Sequence, residues 1–211
     1  MKIYDISMAI DSKMPVYKGR KIKKPEFKTI SDHKSNTVHE SEITLNVHTG
    51  THLDTPLHML PGGADTTQLE EEFIFSCQVL DLTKVKKKIT ADDLKFHRVK
   101  NSEFILLKTR NSRPGFLKKN PKNFVYVAES AALKLSEINP EGVGIDALGI
   151  ERNQPNHPTH RTLLQNSIII LEGLRLNNIP AGSYQLILAP LKLNNLEGAP
   201  ARALLVTEEQ S

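Results

Sequence analysis

The chain has 211 residues, with 28 Lys and Arg against 24 Asp and Glu, a formal net charge of +4 and one cysteine. That length suits a single domain, residues 1–211, whose core is large enough to fold without a disulfide or a structural metal, and the lone Cys77 excludes an intrachain disulfide framework. So small a net charge argues against a nucleic-acid partner, and no run is apolar enough for a signal peptide or a membrane span, so a cytoplasmic protein with no membrane partner is expected.

In chain order, the first segment that stands out is 48–58, HTGTHLDTPLH, which holds His48, His52, Asp54 and His58. A β-branched apolar run predicts a strand at 78–82. The basic cluster of Lys84, Lys86, Lys87 and Lys88 follows; it has no interleaved aromatics to stack bases and lies near Asp92 and Asp93, so it reads as a solvated face. Thr90 can cap a short helix running to residue 96, and a strand is predicted at 104–107. A second helix is predicted over 128–138, with Ala131, Ala132, Leu135 and Ile138 on one face and Asn139-Pro140 as its stop. Gly142-x-Gly144 leads into a strand at 143–145 rather than a helix, which argues against a Rossmann or P-loop reading. Further strands are predicted at 167–171, 184–189 and 203–206. With no repeat or linker, the pattern points to one mixed α/β or α+β domain.

The chemistry concentrates in 48–58. A helix is opposed there by Gly50, by Thr49, Thr51 and Thr55, and by Pro56. All four candidate ligands have even numbers, so on a strand they project to one side. Full extension would still hold His48 and His52 about 13 Å apart, whereas donors sharing a tetrahedral ion sit about 3.3 Å apart. The chain must therefore bend at Gly50, where glycine permits the necessary backbone angles. Two imidazoles and a carboxylate leave coordination positions open for water, the pattern of a catalytic ion, and His58 stands close enough to act as acid and base on that water. A second group lies in Asn156-His157-Pro158-Thr159-His160 and in Glu172, which closes the strand over 167–171. Convergence of His160 and Glu172 on Asp54 would provide for a second ion, with Asp54 as the bridge. His97 is read as an ordinary histidine.

The string His48-Thr-Gly-Thr-His52-Leu-Asp54-Thr-Pro56-Leu-His58 resembles the HxGTHxDxPxH signature of the metal-dependent cyclase/hydrolase family, which includes the bacterial kynurenine formamidases. Tyr4-Asp5-Ile6-Ser7, Met14-Pro15-Val16-Tyr17-Lys18-Gly19, Gly144-Ile145-Asp146, Ile170 to Leu174, Ala189 to Lys192 and Gly198 to Arg202 extend the likeness over nearly the whole chain. The resemblance implies a swivelling β/β/α-type fold with a mixed sheet core and a homo-oligomer, dimer or larger. It also implies a first zinc on His48, His52 and Asp54, a second on Asp54, His160 and Glu172, and His58 as the acid/base histidine. His157 competes with His160 for its place. In relatives resembling isatin hydrolase a single Mn2+ takes the first site. The implied activity is hydrolysis of a small amide, aryl formamide or cyclic imide by a metal-bound hydroxide. Ring closure or lactone hydrolysis at the same centre is the alternative, as is a non-catalytic metal-binding protein. Kynurenine formamidases commonly carry a tryptophan in the loop around residue 17 and an acid after its glycine; here Tyr17 and Arg20 stand in those places, which weighs against N-formylkynurenine as substrate.

Overall fold

The apolar runs pair into one mixed sheet that curls back on itself. The computed structural model describes residues 1–69, 73–95 and 103–207. Its strands are β1 (Lys2–Asp5), β2 (Glu26–Ser31), β3 (Glu40–Thr44), β4 (His52–Asp54), β5 (Ile74–Asp81), β6 (Lys88–Ile89), β7 (Phe104–Lys108), β8 (Tyr126–Val127), β9 (Gly142–Ile145), β10 (Ile169–Glu172), β11 (Gly182–Pro190) and β12 (Gly198–Thr207). The helices are α1 (Ala91–Leu94), α2 (Phe116–Lys119), α3 (Glu129–Ile138) and α4 (Pro158–Gln165). The large sheet runs β1-β12-β11-β5-β7-β9-β10-β4, and β4 pairs again with β12, which closes a barrel-like core. From β5 through β7 and β9 to β10 the pairing is parallel; the remaining pairs of this sheet are antiparallel. This is the mixed α/β architecture expected.

Burial on both faces explains why these strands read as continuous apolar runs rather than alternating ones. In β7, Phe104 and Leu106 pack with Leu53, Cys77, Leu171 and Leu205. Ile105 and Leu107 point the other way, to Ala131 and Leu135 of α3 and Leu163 of α4. Burying a side chain of this size contributes roughly 1.5–3 kcal/mol, so the strand is anchored from both sides. Asp146, just past β9, is fully buried but accepts bonds from Thr109 N, Thr109 Oγ1 and Ser112 N at 2.8, 2.7 and 3.1 Å, pinning the loop after β7.

Several expected boundaries shift for local reasons. The strand anticipated from residue 167 starts at Ile169, because Ser167 adopts a left-handed φ of 58°. The helix of 128–138 begins one residue later, with Ala128 as its cap, and ends on left-handed Asn139. Thr90 and Asp93 form a capping box on α1; the expected end at Phe96, and His97, lie outside the described residues. The β2–β3 hairpin and α4 were not expected from the sequence. No helix among the described residues is long and apolar enough to cross a membrane.

Candidate metal centre

The centre lies on the face of the sheet covered by helices. Strand β4 is only three residues long, yet β10 pairs with one of its edges and β12 with the other. Since alternate residues face opposite ways, Leu53 enters the barrel core while His52 and Asp54 both face outward. The register sets Glu172 directly opposite His52 and Ile170 opposite Asp54, so the three polar groups meet without a loop having to bring them together. His160 is on α4, which packs against β10.

The expected bend is present. Gly50 has a φ of +70°, and the rings of His48 and His52 lie 5.1 Å apart, centroid to centroid. The bend is held from behind at Gly173, whose φ is +76° and where an added Cβ would lie 2.1 Å from the Gly50 carbonyl oxygen. Only glycine fits so close an approach, and it fastens the turn after Glu172 to the turn between the two histidines.

Distances within the cluster are short. His48 Nδ1 is 2.8 Å from Asp54 Oδ1, and His48 Nε2 is 3.4 Å from Glu197 Oε1. His52 Nε2 lies 3.6 Å from Asp54 Oδ1 and 3.4 Å from Glu172 Oε2. His160 Nε2 lies 3.7 Å from Asp54 Oδ2 and 3.4 Å from Glu172 Oε1. His58, in the tight turn Pro56–His58, places its ring 4.3 Å from that of His48 and 5.6 Å from that of His160, tilted against both. Thus His48, His52, Asp54, His58, His160 and Glu172 all gather at one place. His157 sits at the rim of this cluster: it caps α4, is half exposed, lies 3.2 Å from Glu151 and 6.1 Å, ring to ring, from His160, and with those two residues offers a further group of possible ligands at the edge of the cavity.

Two neighbours orient the rings: Gly50, at the expected bend, and Glu151, which no feature of the sequence singles out. His52 Nδ1 is 3.0 Å from the Gly50 carbonyl, so it donates there and turns Nε2 toward the acids. His160 Nδ1 is 2.5 Å from Glu151 Oε1, with the same effect on its Nε2. This is the carboxylate–histidine arrangement that fixes a ligating imidazole.

Buried charge dictates what the cluster needs. Burial works to raise the Glu172 carboxyl, but the imidazoles of His160 and His52 beside it outweigh burial and hold it well below the ordinary range. Asp54 is likewise lowered: burial and the Glu172 charge push it up, and the bond to His48 with the charges of His52 and His48 pulls it down. Burial disfavours charge on His160, but bonds to Glu151 and Glu172 push it up to about 10, and His52 is raised in the same way by Glu172 and Asp54. Three buried acids therefore require compensating positive charge, supplied by protons on the imidazoles or by cations that displace them. His58 differs: burial lowers it, whereas His52 and His160 are raised.

The donors fit a divalent ion. Among the described residues His52 Nε2 and Asp54 Oδ2 are buried with no hydrogen-bond partner, an arrangement that costs stability unless something else binds them. One atom each from His52, Asp54 and Glu172 lie within 4.8 Å of one another, as do atoms from His48, Asp54 and His58. Imidazole nitrogens with carboxylate oxygens suit Zn2+ or Mn2+. Beside them opens a cavity of about 200 Å³, bounded by Tyr17, Lys23, His58, Met59 and Leu148.

Comparison with known proteins places the same features in a wider set. Residues 4–152 match the family model described as "Putative cyclase". The chain is 28% identical over 210 residues to a kynurenine formamidase of Sphingopyxis alaskensis, covering 97% of each. A solved structure described as a "potential metal-dependent hydrolase with cyclase activity" superposes with a TM-score of 0.88 at 44% identity, covering 97% of this chain and 96% of that one. Another, described as a "predicted metal-dependent hydrolase" from Bacillus stearothermophilus, gives a TM-score of 0.85 at 45% identity with 97% of each chain covered.

Proposed function

This chain belongs to the cyclase family, and from that membership we propose how its residues carry out metal-dependent amide hydrolysis. The enzyme is a metal-dependent hydrolase acting on a small amide; similarity to kynurenine formamidases and to metal-dependent hydrolases supports the class of reaction. The observation that carries the reading is the pair of buried, unpartnered atoms, His52 Nε2 and Asp54 Oδ2, facing His48, His160 and Glu172. In this reading His48, His52 and Asp54 hold a first ion, and Asp54, His160 and Glu172 hold a second. Zinc is the proposed metal, with one manganese as the alternative. Residues 1–211 act as one catalytic domain in the cytoplasm.

A bound divalent ion supplies the Lewis acid that acidifies a water near neutral pH and polarises a carbonyl oxygen. The chain does the rest. The Gly50 carbonyl and Glu151 keep Nδ1 of His52 and of His160 protonated, so that each Nε2 stays available to a cation. The neutral ring of His58 takes a proton from the attacking water and returns it to the leaving nitrogen. Tyr17 and Met59 wall the cavity and limit the water that enters it. Ring opening or closure at the same centre is the second reading, favoured by the cyclase activity ascribed to a close structural neighbour.

The test is hydrolysis of a simple aryl formamide by purified protein, followed through removal and return of metal. Chelation should abolish turnover and added Zn2+ or Mn2+ should restore it; turnover that survives complete metal removal would overturn the reading.

The proposed homo-oligomer forms through the β2–β3 hairpin. Phe27 and Ile43 are paired across its two strands, and with Ile30 and Val38 they remain about half exposed. An apolar face of this kind marks an interaction surface. Light scattering should give the mass of a dimer or larger assembly, and the double change Phe27→Asp with Ile43→Asp should shift it to the monomer.

A further inference from the structure

The segment that closes the metal cavity carries an unusual charge. Residues 17–24 read YKGRKIKK, with five cations and no acid. The Tyr17 ring lines the cavity, and Lys23 lines it as well, half-buried at the same wall. The nitrogens of Lys18 and Lys23 lie 5.2 and 5.8 Å from the centre of the Tyr17 ring. No carboxylate among the described residues makes an ion pair with Lys23; the acids that share the cavity, Glu151 and Glu172, are bound to His160 and to the amide of Ile150. The wall is fixed rather than adaptable. Lys18 and Gly19 both have left-handed backbones, with φ of 54° and 66°, and the Lys18 amide donates to the Pro121 carbonyl at 3.2 Å. Tyr17 packs on Phe124 at 5.9 Å and lies so close to Gly149 that a Cβ there would approach its Cε2 to 2.8 Å. A non-glycine residue held left-handed beside a binding cavity is strain of the kind kept where it positions function.

We propose that this cavity selects amides bearing a carboxylate, which Lys23 binds at the cavity wall while Tyr17 packs against the body of the substrate. The proposal rests on the reading of the cavity as an amide-hydrolase site. A cavity of about 200 Å³ admits a single substituted ring or a short aliphatic acyl group and little else. Among the described residues that line it, Lys23 is the one lysine or arginine, and a carboxylate is the natural complement of its ammonium. The surrounding cations Lys18, Arg20, Lys21 and Lys24 act at longer range, drawing anions toward the opening. Lys23 is thus a specificity-determining residue, and the substrate class is a small N-acyl or N-formyl amide with an anionic tail.

The experiment compares two formamides that differ only in charge, formanilide and meta-formamidobenzoate, on the metal-loaded protein. The ratio of kcat/KM should favour the benzoate by about tenfold, the scale of one charge-assisted contact, and should fall as salt is added. Lys23→Met should bring the ratio near unity, mainly through KM for the benzoate, and Lys23→Glu should invert it. Metal content per chain equal to that of the unaltered protein establishes that each variant is folded. A ratio that is the same in the unaltered protein and in Lys23→Met overturns the proposal. Failure of both compounds to turn over at any metal loading instead counts against the amide-hydrolase reading. In that case calorimetry decides on Lys23: meta-formamidobenzoate must bind the unaltered protein more tightly than Lys23→Met, and equal binding overturns the proposal.

Discussion

Asp54→Ala should yield a protein that retains almost no divalent metal on purification and has amide hydrolysis at background. Among the described residues Asp54 is the one acid within reach of His48, His52 and His160 together, at 2.8, 3.6 and 3.7 Å. Removing a mere outer-shell partner of a ligand costs about 10–100-fold in metal affinity, so losing a carboxylate shared by both proposed ion positions should cost more than about 100-fold. The backbone around it should survive. Asp54 sits in β4 with Ile170 paired on one side and Gly198 on the other, and those bonds do not involve its side chain. Asp54→Asn serves as the closest match in shape, leaving the neighbouring imidazoles without their counter-charge. Elemental analysis of the purified variants, alongside their thermal transitions, gives the answer. A fully active variant without metal would remove the ground for calling this a metalloenzyme.

His58→Ala should behave in the opposite way, keeping its metal and losing turnover by roughly 10²–10⁴-fold, the usual contribution of a general acid or base. His58 is the histidine of the cluster that makes no ion pair with a carboxylate among the described residues, and its ring lies tilted against that of His48 instead. Burial lowers its proton affinity. A group that must be neutral to accept a proton remains competent as pH falls until its own pKa is reached, so the acid limb of the rate profile should lie below the ordinary histidine range. In His58→Ala that limb should disappear along with most of the rate. Normal turnover in a fully loaded His58→Ala protein would falsify the assignment.

Much of the centre was legible because its densest part is local. The spacing of His48, His52 and Asp54 with Gly50 between them demands a bend, and the bend is there. The strands were legible because burial on both faces leaves unbroken β-branched runs. The hairpin was not, since EFKTIS and ESEIT are exposed on both faces and so lack the alternation that marks a half-buried strand. Helix α4 was obscured because its two histidines drew a ligand reading, while Pro158 at its first turn and the buried pair Leu163 and Leu164 carried the helical signal. Glu151 offered no signal at all. It stands alone in GIERNQ, and its bond to His160 exists only because α4 folds back over the end of the sheet. The choice of His160 over His157 likewise depended on which one α4 turns inward, a matter of three residues on a helix whose existence was not foreseen.

Strand β12 bears on the order of events during synthesis. It holds β1 through Leu204–Thr207, β11 through Ala201–Val206, and β4 through Gly198–Pro200. A nascent chain leaving the ribosome thus presents His48 and His52 long before the strand that backs β4 has been made. Until then β4 has one edge uncovered and the barrel stays open along that line. Such distant pairings are slow to form, so the cradle for the ion matures late, and the early histidines spend that interval exposed to whatever cations the surroundings offer.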